Sequence, residues 1–364
     1  MPFVAANLKY MNRREVYELV RQSGEISRAE ISRITGISAP TVLKIVDYLK
    51  QAGCVLEIGA GESSLGRKPQ LLRFNPDAGY AVGVDFSGVE LKIGIVDYGE
   101  KIRYLSTTSV VPDISLIAGD AFAEMISSAV TASGIDSERI HGICIGLPGV
   151  VNRELGTIEL APLVGVSDKI SYQGVIQKLS ERLGLPILVE NDANLSALGE
   201  FAASGYADSD DLLMIRTGKG LGAGIILNGQ LRRGKEFFAG ELGYMVFDGS
   251  YHIGKSQGGW LETTLGLDEL HRGSITPETT ERLAQNLALA IVNVCMPLDI
   301  QNAVLARFSK RAVYDAVLSS INEHLQQYAG QDIRCRAPLC PEPGILGAAG
   351  LVIGRAVEEL LKAD

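Results

Sequence analysis

SRAEISRITGISAPTVLKIVDYL, residues 27–49, decides how the front of this 364-residue chain folds. Ser27 and Glu30 have the spacing at which a serine oxygen accepts the third backbone N–H while the glutamate reaches back to the cap. A short helix is therefore predicted to start there and end near Ile34. Gly36 supplies a turn, Ser38 is a good N-cap, and Pro40 is tolerated in the first turn of a third helix. Val42, Ile45, Val46 and Leu49 then recur at helical spacing as a buried stripe, and Gly53 follows the end. Ile31, the small Ser32, Gly36, Ile37, Val42 and Ile45 together are what two helices need to cross at a tight turn, so the stretch predicts a helix-turn-helix.

Upstream, Val16, Leu19 and Val20 give residues 12–22 one apolar face, with Arg13, Arg14 and Arg21 on the other, and predict a first helix. Downstream, Val55–Ile58 and Gln70–Phe74 read as two strands around a polar loop, the pattern of a wing. The base of that loop carries Gly66-Arg67-Lys68-Pro69, where Arg67 and Lys68 can reach a minor groove or clamp phosphates. On the third helix, Ser38, Ala39, Thr41, Lys44 and Tyr48 lie opposite the buried stripe, with Arg28 at the start of the second helix. These small and polar side chains suit a helix N-terminus entering a major groove, so they are the candidate contacts to operator DNA. The competing reading is a three-helix protein-interaction module with a solvated basic face.

Charge supports the first reading once it is divided along the chain. The net charge of −9 hides 11 Lys+Arg against 7 Asp+Glu in residues 1–75, leaving 23 against 36 in the remainder. The basic end suits nucleic acid, and the acidic remainder suits a neutral ligand. An apolar content of 46% is ample for real cores. The longest near-apolar stretch, Leu287 to Leu298, is interrupted by Asn293 and is too short to cross a bilayer. No membrane partner is expected, and without a charged-then-apolar leader the expected location is the cytoplasm. Cys54, Cys144, Cys295, Cys335 and Cys340 are scattered without a C-x-x-C pair and read as reduced thiols.

From Tyr80 the pattern changes to short strands punctuated by glycine. Ala81–Phe86, Leu91–Asp97 and Lys101–Ser106 read as strands, followed by a helix from Ile114 to Ala132, a buried strand Gly142–Gly146, a helix Tyr172–Leu183 and a strand Pro186–Val189. A second set begins at Leu212–Ile215 and Ala223–Leu227 and ends in helices Thr279–Val294 and Gly347–Leu361. Strands alternating with helices predict an α/β architecture. The domain expectation is a winged helix-turn-helix over 1–76 and a body over 77–364, in lobes of about 77–190 and 191–364 with a cleft between them.

The chain resembles the ROK family of repressors, open reading frames and kinases, specifically the repressor branch that includes regulators of xylose and N-acetylglucosamine genes. The resemblance spans the chain. It rests on the winged helix with its Gly-Arg-Lys-Pro, Gly83-Val84-Asp85, Gly146-Leu147-Pro148-Gly149, Glu190-Asn191-Asp192-Ala193, Gly218 to Gly224, Gly240-Glu241-Leu242-Gly243 and Gly347-Ala348-Ala349-Gly350. It implies a two-lobed, actin-like or hexokinase-like body and a homodimer or tetramer. It also makes Asp192 the counterpart of a kinase's catalytic base, Asn191, Glu241 and Glu262 those of sugar-hydroxyl ligands, and Pro148-Gly149 part of the pocket loop. Tyr244 takes the place of a histidine beside the sugar.

The same resemblance implies losses. Where kinases of the family have D-x-G-G-T, this chain has Asp85-Phe86-Ser87-Gly88-Val89, and where they have G-T-G-x-G it has Gly218-Lys219-Gly220-Leu221-Gly222. ATP is therefore not expected, and Asp192 is read as a hydroxyl-binding or capping residue with no expected catalytic activity. The family's zinc motifs are replaced as well, by Gly240-Glu241-Leu242-Gly243-Tyr244 and by the stretch from Ile253 to Glu262, which holds neither cysteine nor histidine. Zinc needs thiolate or imidazole donors, so none is expected, with Tyr244 and Trp260 packing in its place. The expectation is a repressor of carbohydrate genes that binds operator DNA and a small carbohydrate or sugar phosphate. The alternatives are an ATP-dependent sugar kinase with a DNA-binding appendage, and a regulator controlled by a protein partner.

Overall fold

The structure, a computed structural model, describes residues 2–60, 70–86, 90–111, 113–207, 209–218, 220–252, 259–267, 276–308, 311–329 and 333–363. Helix α1 (Pro2–Gln22) begins earlier than the apolar periodicity predicts, and its Val16, Tyr17 and Val20 are buried. The capping box at Ser27 and Glu30 is formed, α2 (Arg28–Thr35) follows it, and Gly36 ends it at φ 70, a left-handed position suited to glycine. In α3 (Ala39–Gln51) the predicted stripe Val42, Ile45, Val46 and Leu49 is buried. Ser38 stands at the N-cap without a side-chain cap bond, because its hydroxyl pairs with Thr41 Oγ1 at 2.9 Å. Strands β1 (Ile26–Ser27), β2 (Val55–Ala60) and β3 (Gln70–Phe74) form an antiparallel sheet in the order β1-β3-β2. Arg67 and Lys68 lie outside the described residues.

The first lobe is a sheet of β4 (Tyr80–Phe86), β5 (Glu90–Asp97), β6 (Ile102–Ser109), β7 (Ile140–Leu147) and β11 (Ile187–Asn191), in the order β11-β7-β4-β5-β6. Every residue of β4 is buried, as expected of a central strand covered on both faces. Helices α4 (Asp120–Ser133) and α5 (Gln173–Leu183) belong to this lobe. The single helix predicted from Ile114 is instead a 3₁₀ turn (Ile114–Ala118) and then α4. Asp113 caps the turn by accepting from the Ser115 N–H, and Gly119 interrupts with an extended backbone. A flap of three short strands not foreseen from sequence, β8 (Val150–Asn152), β9 (Thr157–Glu159) and β10 (Ile170–Ser171), stands over the end of β7.

The second lobe has β12 (Leu212–Thr217), β13 (Leu221–Leu227), β14 (Gln230–Leu231), β15 (Asn302–Leu305) and β16 (Arg334–Arg336), in the order β14-β13-β12-β15-β16. Its helices are α6 (Asp192–Ser204), α7 (Trp260–Thr264), α8 (Pro277–Leu298) and α9 (Arg311–Tyr328). The last helix, α10 (Pro343–Lys362), leaves this lobe and packs on the first sheet: a Cβ at Gly83 would lie 2.5 Å from the carbonyl of Ile345. It also crosses α6 with the two backbones touching, since a Cβ at Gly347 would lie 1.9 Å from Leu195 O. At its far end Val357 and Leu361 join the winged-helix core of Val16, Ile31 and Leu49. Among the described residues no helix is long and apolar enough to cross a membrane.

Candidate functional site

The cleft is built where strands stop and helices start. Strand β7 ends into Pro148-Gly149, and Gly149 has φ 84 in a space where a Cβ would lie 2.6 Å from that of Ala161, so the loop is pressed against the flap. Asn191 caps α6: its Oδ1 accepts the Asn194 N–H at 2.9 Å, and its Nδ2 donates to the Gly149 carbonyl at 2.8 Å. Neighbouring Glu190 is fully buried and held by Arg233 at 2.7 Å and Arg153 at 3.4 Å, so of these two carboxylates it is Asp192 that lines the cleft. Pro148, Gly149, Asn191, Asp192, Gly218, Gly220, Glu241, Tyr244 and Glu262, dispersed over more than a hundred residues of sequence, line one cavity between the lobes. Lys219 and Gly88 lie outside the described residues.

Burial sets the protonation of this cavity. It lifts Asp192 to about 6, against the pull of Arg216 and with a further push from Asp85. Glu241 is lifted to about 7 by burial and then by Asp192 and Glu262. Burial also raises Glu262, although the Leu221 N–H donates to its Oε1 at 3.0 Å and opposes the shift. A half-buried ring of carboxylates with a capping amide presents acceptors to hydroxyl groups.

The sequence reading misses Leu160 to Leu163 of the cavity lining and, of the charged residues, Arg216. Arg216 ends β12 inside the cavity, with Nη2 2.9 Å from Asp85 Oδ1 and Nε 3.5 Å from Asp192 Oδ2. Burial works against its charge, yet Asp85 and Asp192 raise its pKa above the ordinary arginine value. A signal for it exists: in Leu-Leu-Met-Ile-Arg-Thr-Gly, residues 212–218, a lone cation interrupts a buried strand, and such a cation needs a buried carboxylate partner. Asp85, which the sequence places in a phosphate loop, is that partner.

At the family's zinc position the described donors do not suit the metal. Tyr244 offers a phenol whose pKa is raised by burial and by Glu241 and Glu262, and no group of three or more metal-binding side chains occurs among the described residues. Trp260 packs edge-on against Phe247 at 5.5 Å. Gly347 serves the α6–α10 crossing.

On the winged domain, Ser38, Ala39 and Lys44 are exposed and Thr41 half-buried at the N-terminal half of α3. Two other candidates make contacts within the chain. Arg28 is spent inside the domain, with Nη2 2.5 Å from Glu57 Oε1 and 3.5 Å from Asp47 Oδ1. Tyr48 faces the body: its hydroxyl donates to Leu360 O at 2.5 Å, and its ring lies 3.7 Å beneath the Arg13 guanidinium. Arg13 is buried and donates in turn to Leu361 O at 3.1 Å and to Ala363 O. These donors satisfy the carbonyls at the end of α10, where an unpaired helix C-terminus carries partial negative charge.

Residues 81–262 match the ROK family, and residues 12–55 match a winged helix-turn-helix DNA-binding family. The chain is similar to the xylose repressor of Bacillus subtilis, 33% identical over 66% of this chain and 62% of that protein, so it spans less than two thirds of that relative. It is also similar to the glucokinase of Streptomyces coelicolor, 35% identical over 56% of this chain and 63% of that enzyme. Among solved structures, a ROK family transcriptional regulator described as a homologue of the E. coli MLC protein covers 97% of this chain and 98% of its own, with a TM-score of 0.75 at 22% identity, which is a likeness of fold. Fold and site together define a winged-helix protein carrying a two-lobed, sugar-kinase-like body. The chain belongs to the ROK family.

Proposed function

We propose that this protein is a sugar-responsive repressor acting in the cytoplasm as a homodimer or tetramer, with α3 and the wing on operator DNA and a carbohydrate in the cleft. The observation that carries the reading is the path of α10. Its first turn lies against Asp85, where a Cβ at Gly344 would be 2.7 Å from Oδ2, and its last carbonyls are held by Arg13 and Tyr48 of the winged domain. One rigid helix thus touches both the cleft and the DNA-binding domain. A ligand that binds the open and closed lobes with different affinity displaces that helix and shifts the spacing of paired recognition helices. A tenfold change in operator affinity needs about 1.4 kcal/mol of such coupling.

The names of the relatives make xylose the first effector to try, followed by other pentoses, hexoses and their phosphates. Gel-shift titration of the full chain on DNA upstream of its own gene, repeated with each sugar, tests the reading: release by one sugar is expected. Binding that no sugar affects transfers control to a protein partner. Asp192, lifted to about 6, has the character of a general base and keeps a sugar kinase as the second reading. Transfer of phosphate from ATP to any sugar in a coupled assay supports that kinase, and none is expected. Zinc by elemental analysis is likewise expected to be absent.

A further inference from the structure

Arg216 is not a loose cation at a pocket rim. Its guanidinium is engaged on three sides: Nη2 on Asp85 Oδ1 at 2.9 Å, Nη1 on Ser196 Oγ at 3.1 Å and on Asp192 O at 3.4 Å, and Nε toward Asp192 Oδ2 at 3.5 Å. It ties the end of β4, the start of α6 and β12 together, that is, both lobes. The nearest turn of α10 lies against the group, since a Cβ at Gly344 would lie 3.4 Å from Nη1.

Two carboxylates that share a buried space cannot both stay ionised without a cation beside them. In phosphoryl transfer that cation is the divalent ion of the nucleotide, and the base carboxylate must be free to take the hydroxyl proton. Here the chain supplies the cation itself, on both Asp85 and the carboxylate at the base position.

We propose that Arg216 is a built-in counter-cation that occupies the place of a metal–nucleotide charge between Asp85 and Asp192, and so determines that the cleft receives a ligand without joining it to a phosphoryl donor. An arginine does this permanently, because its charge is not lost at any physiological pH. The inference deepens the sensor reading, yet its test needs neither a sugar nor an operator, so either can fail alone.

The test is Mn2+ binding to the full chain, by calorimetric titration and thermal shift, with and without the nonhydrolysable nucleotide AMPPNP. Wild type is expected to show no Mn2+ or Mn2+–AMPPNP site that Asp85→Asn abolishes. Arg216→Ala exposes the two carboxylates to a hard cation and is expected to gain a Mn2+ site at least about tenfold tighter than the weakest binding the titration detects, the gain disappearing in the Asp85→Asn/Arg216→Ala pair. Should the alanine variant not fold, Arg216→Gln, which keeps an N–H donor for Ser196 and removes the charge, carries the same expectation. A wild-type site abolished by Asp85→Asn, or a folded Arg216 variant that gains none, overturns the proposal.

Discussion

The Tyr48 hydroxyl donates to the carbonyl of Leu360 across 312 residues of sequence, at 2.5 Å, and pins the third helix of the winged domain to the last turn of α10. Tyr48→Phe keeps the ring under Arg13 and removes only this bond, a net loss of about 1 kcal/mol. Faster amide exchange is expected in α3 and at the end of α10, with operator affinity within about threefold of wild type, because a bond to Leu360 is not a bond to DNA. A large loss of operator affinity with unchanged exchange would return Tyr48 to the DNA face.

The exposed half of α3 and the wing are expected to separate in their effects. Lys44→Ala and Thr41→Ala should alter which sequences are selected from a randomised operator library, since these side chains are the proposed base-edge contacts. Arg67→Ala with Lys68→Ala should weaken all sequences alike and reduce the salt slope by about one unit for each phosphate that is no longer neutralised. An unchanged slope removes the wing from the phosphate footprint.

What is legible in sequence here is what is local. The capping box at Ser27 and Glu30, the turn at Gly36 and the stripe from Val42 to Leu49 each depend on neighbours a few residues away, and the structure forms them. The cleft residues are legible through the family's motifs, each set at a strand end or glycine turn. The bond from Tyr48 to Leu360 is not legible, because an outward position on α3 does not tell whether DNA or another part of the chain waits outside. Arg216 is overlooked because its partner, Asp85, lies 131 residues away. Long-range pairing of side chains is written in no periodicity.

Gly347 tests the central crossing. A Cβ there would lie 1.9 Å from Leu195 O and 2.8 Å from its carbonyl carbon, backbone atoms that cannot rotate aside, so Gly347→Ala must separate α6 from α10. Overpacking of this kind costs about 1–3 kcal/mol. Chemical denaturation should show that loss, and amide exchange should rise in both helices together. Gly350, with nothing within 4 Å of an added Cβ, is the control: Gly350→Ala is expected to be neutral or stabilising.

The cleft carboxylates predict an unusual dependence of stability on pH. Glu241 is lifted from 4.5 to about 7 and Asp192 from 3.8 to about 6, burial being the main cause in each. In the window between the unfolded and folded values the native state binds more protons than the unfolded chain, so stability falls as pH rises. The contribution is whole below about pH 4 and is lost as pH passes through 6 and 7. Carboxylates held low by hydrogen bonds, such as Glu57 and Glu281, act in the opposite sense and only at more acid pH. Glu241→Gln removes one of these costs together with the unfavourable interaction of Glu241 with Asp192 and Glu262, and it also relieves Tyr244. Urea denaturation should therefore find the variant gaining on wild type between pH 5 and pH 8. Parallel curves over that range would mean that Glu241 ionises as it does in water, and that the cleft is too wet to shift it.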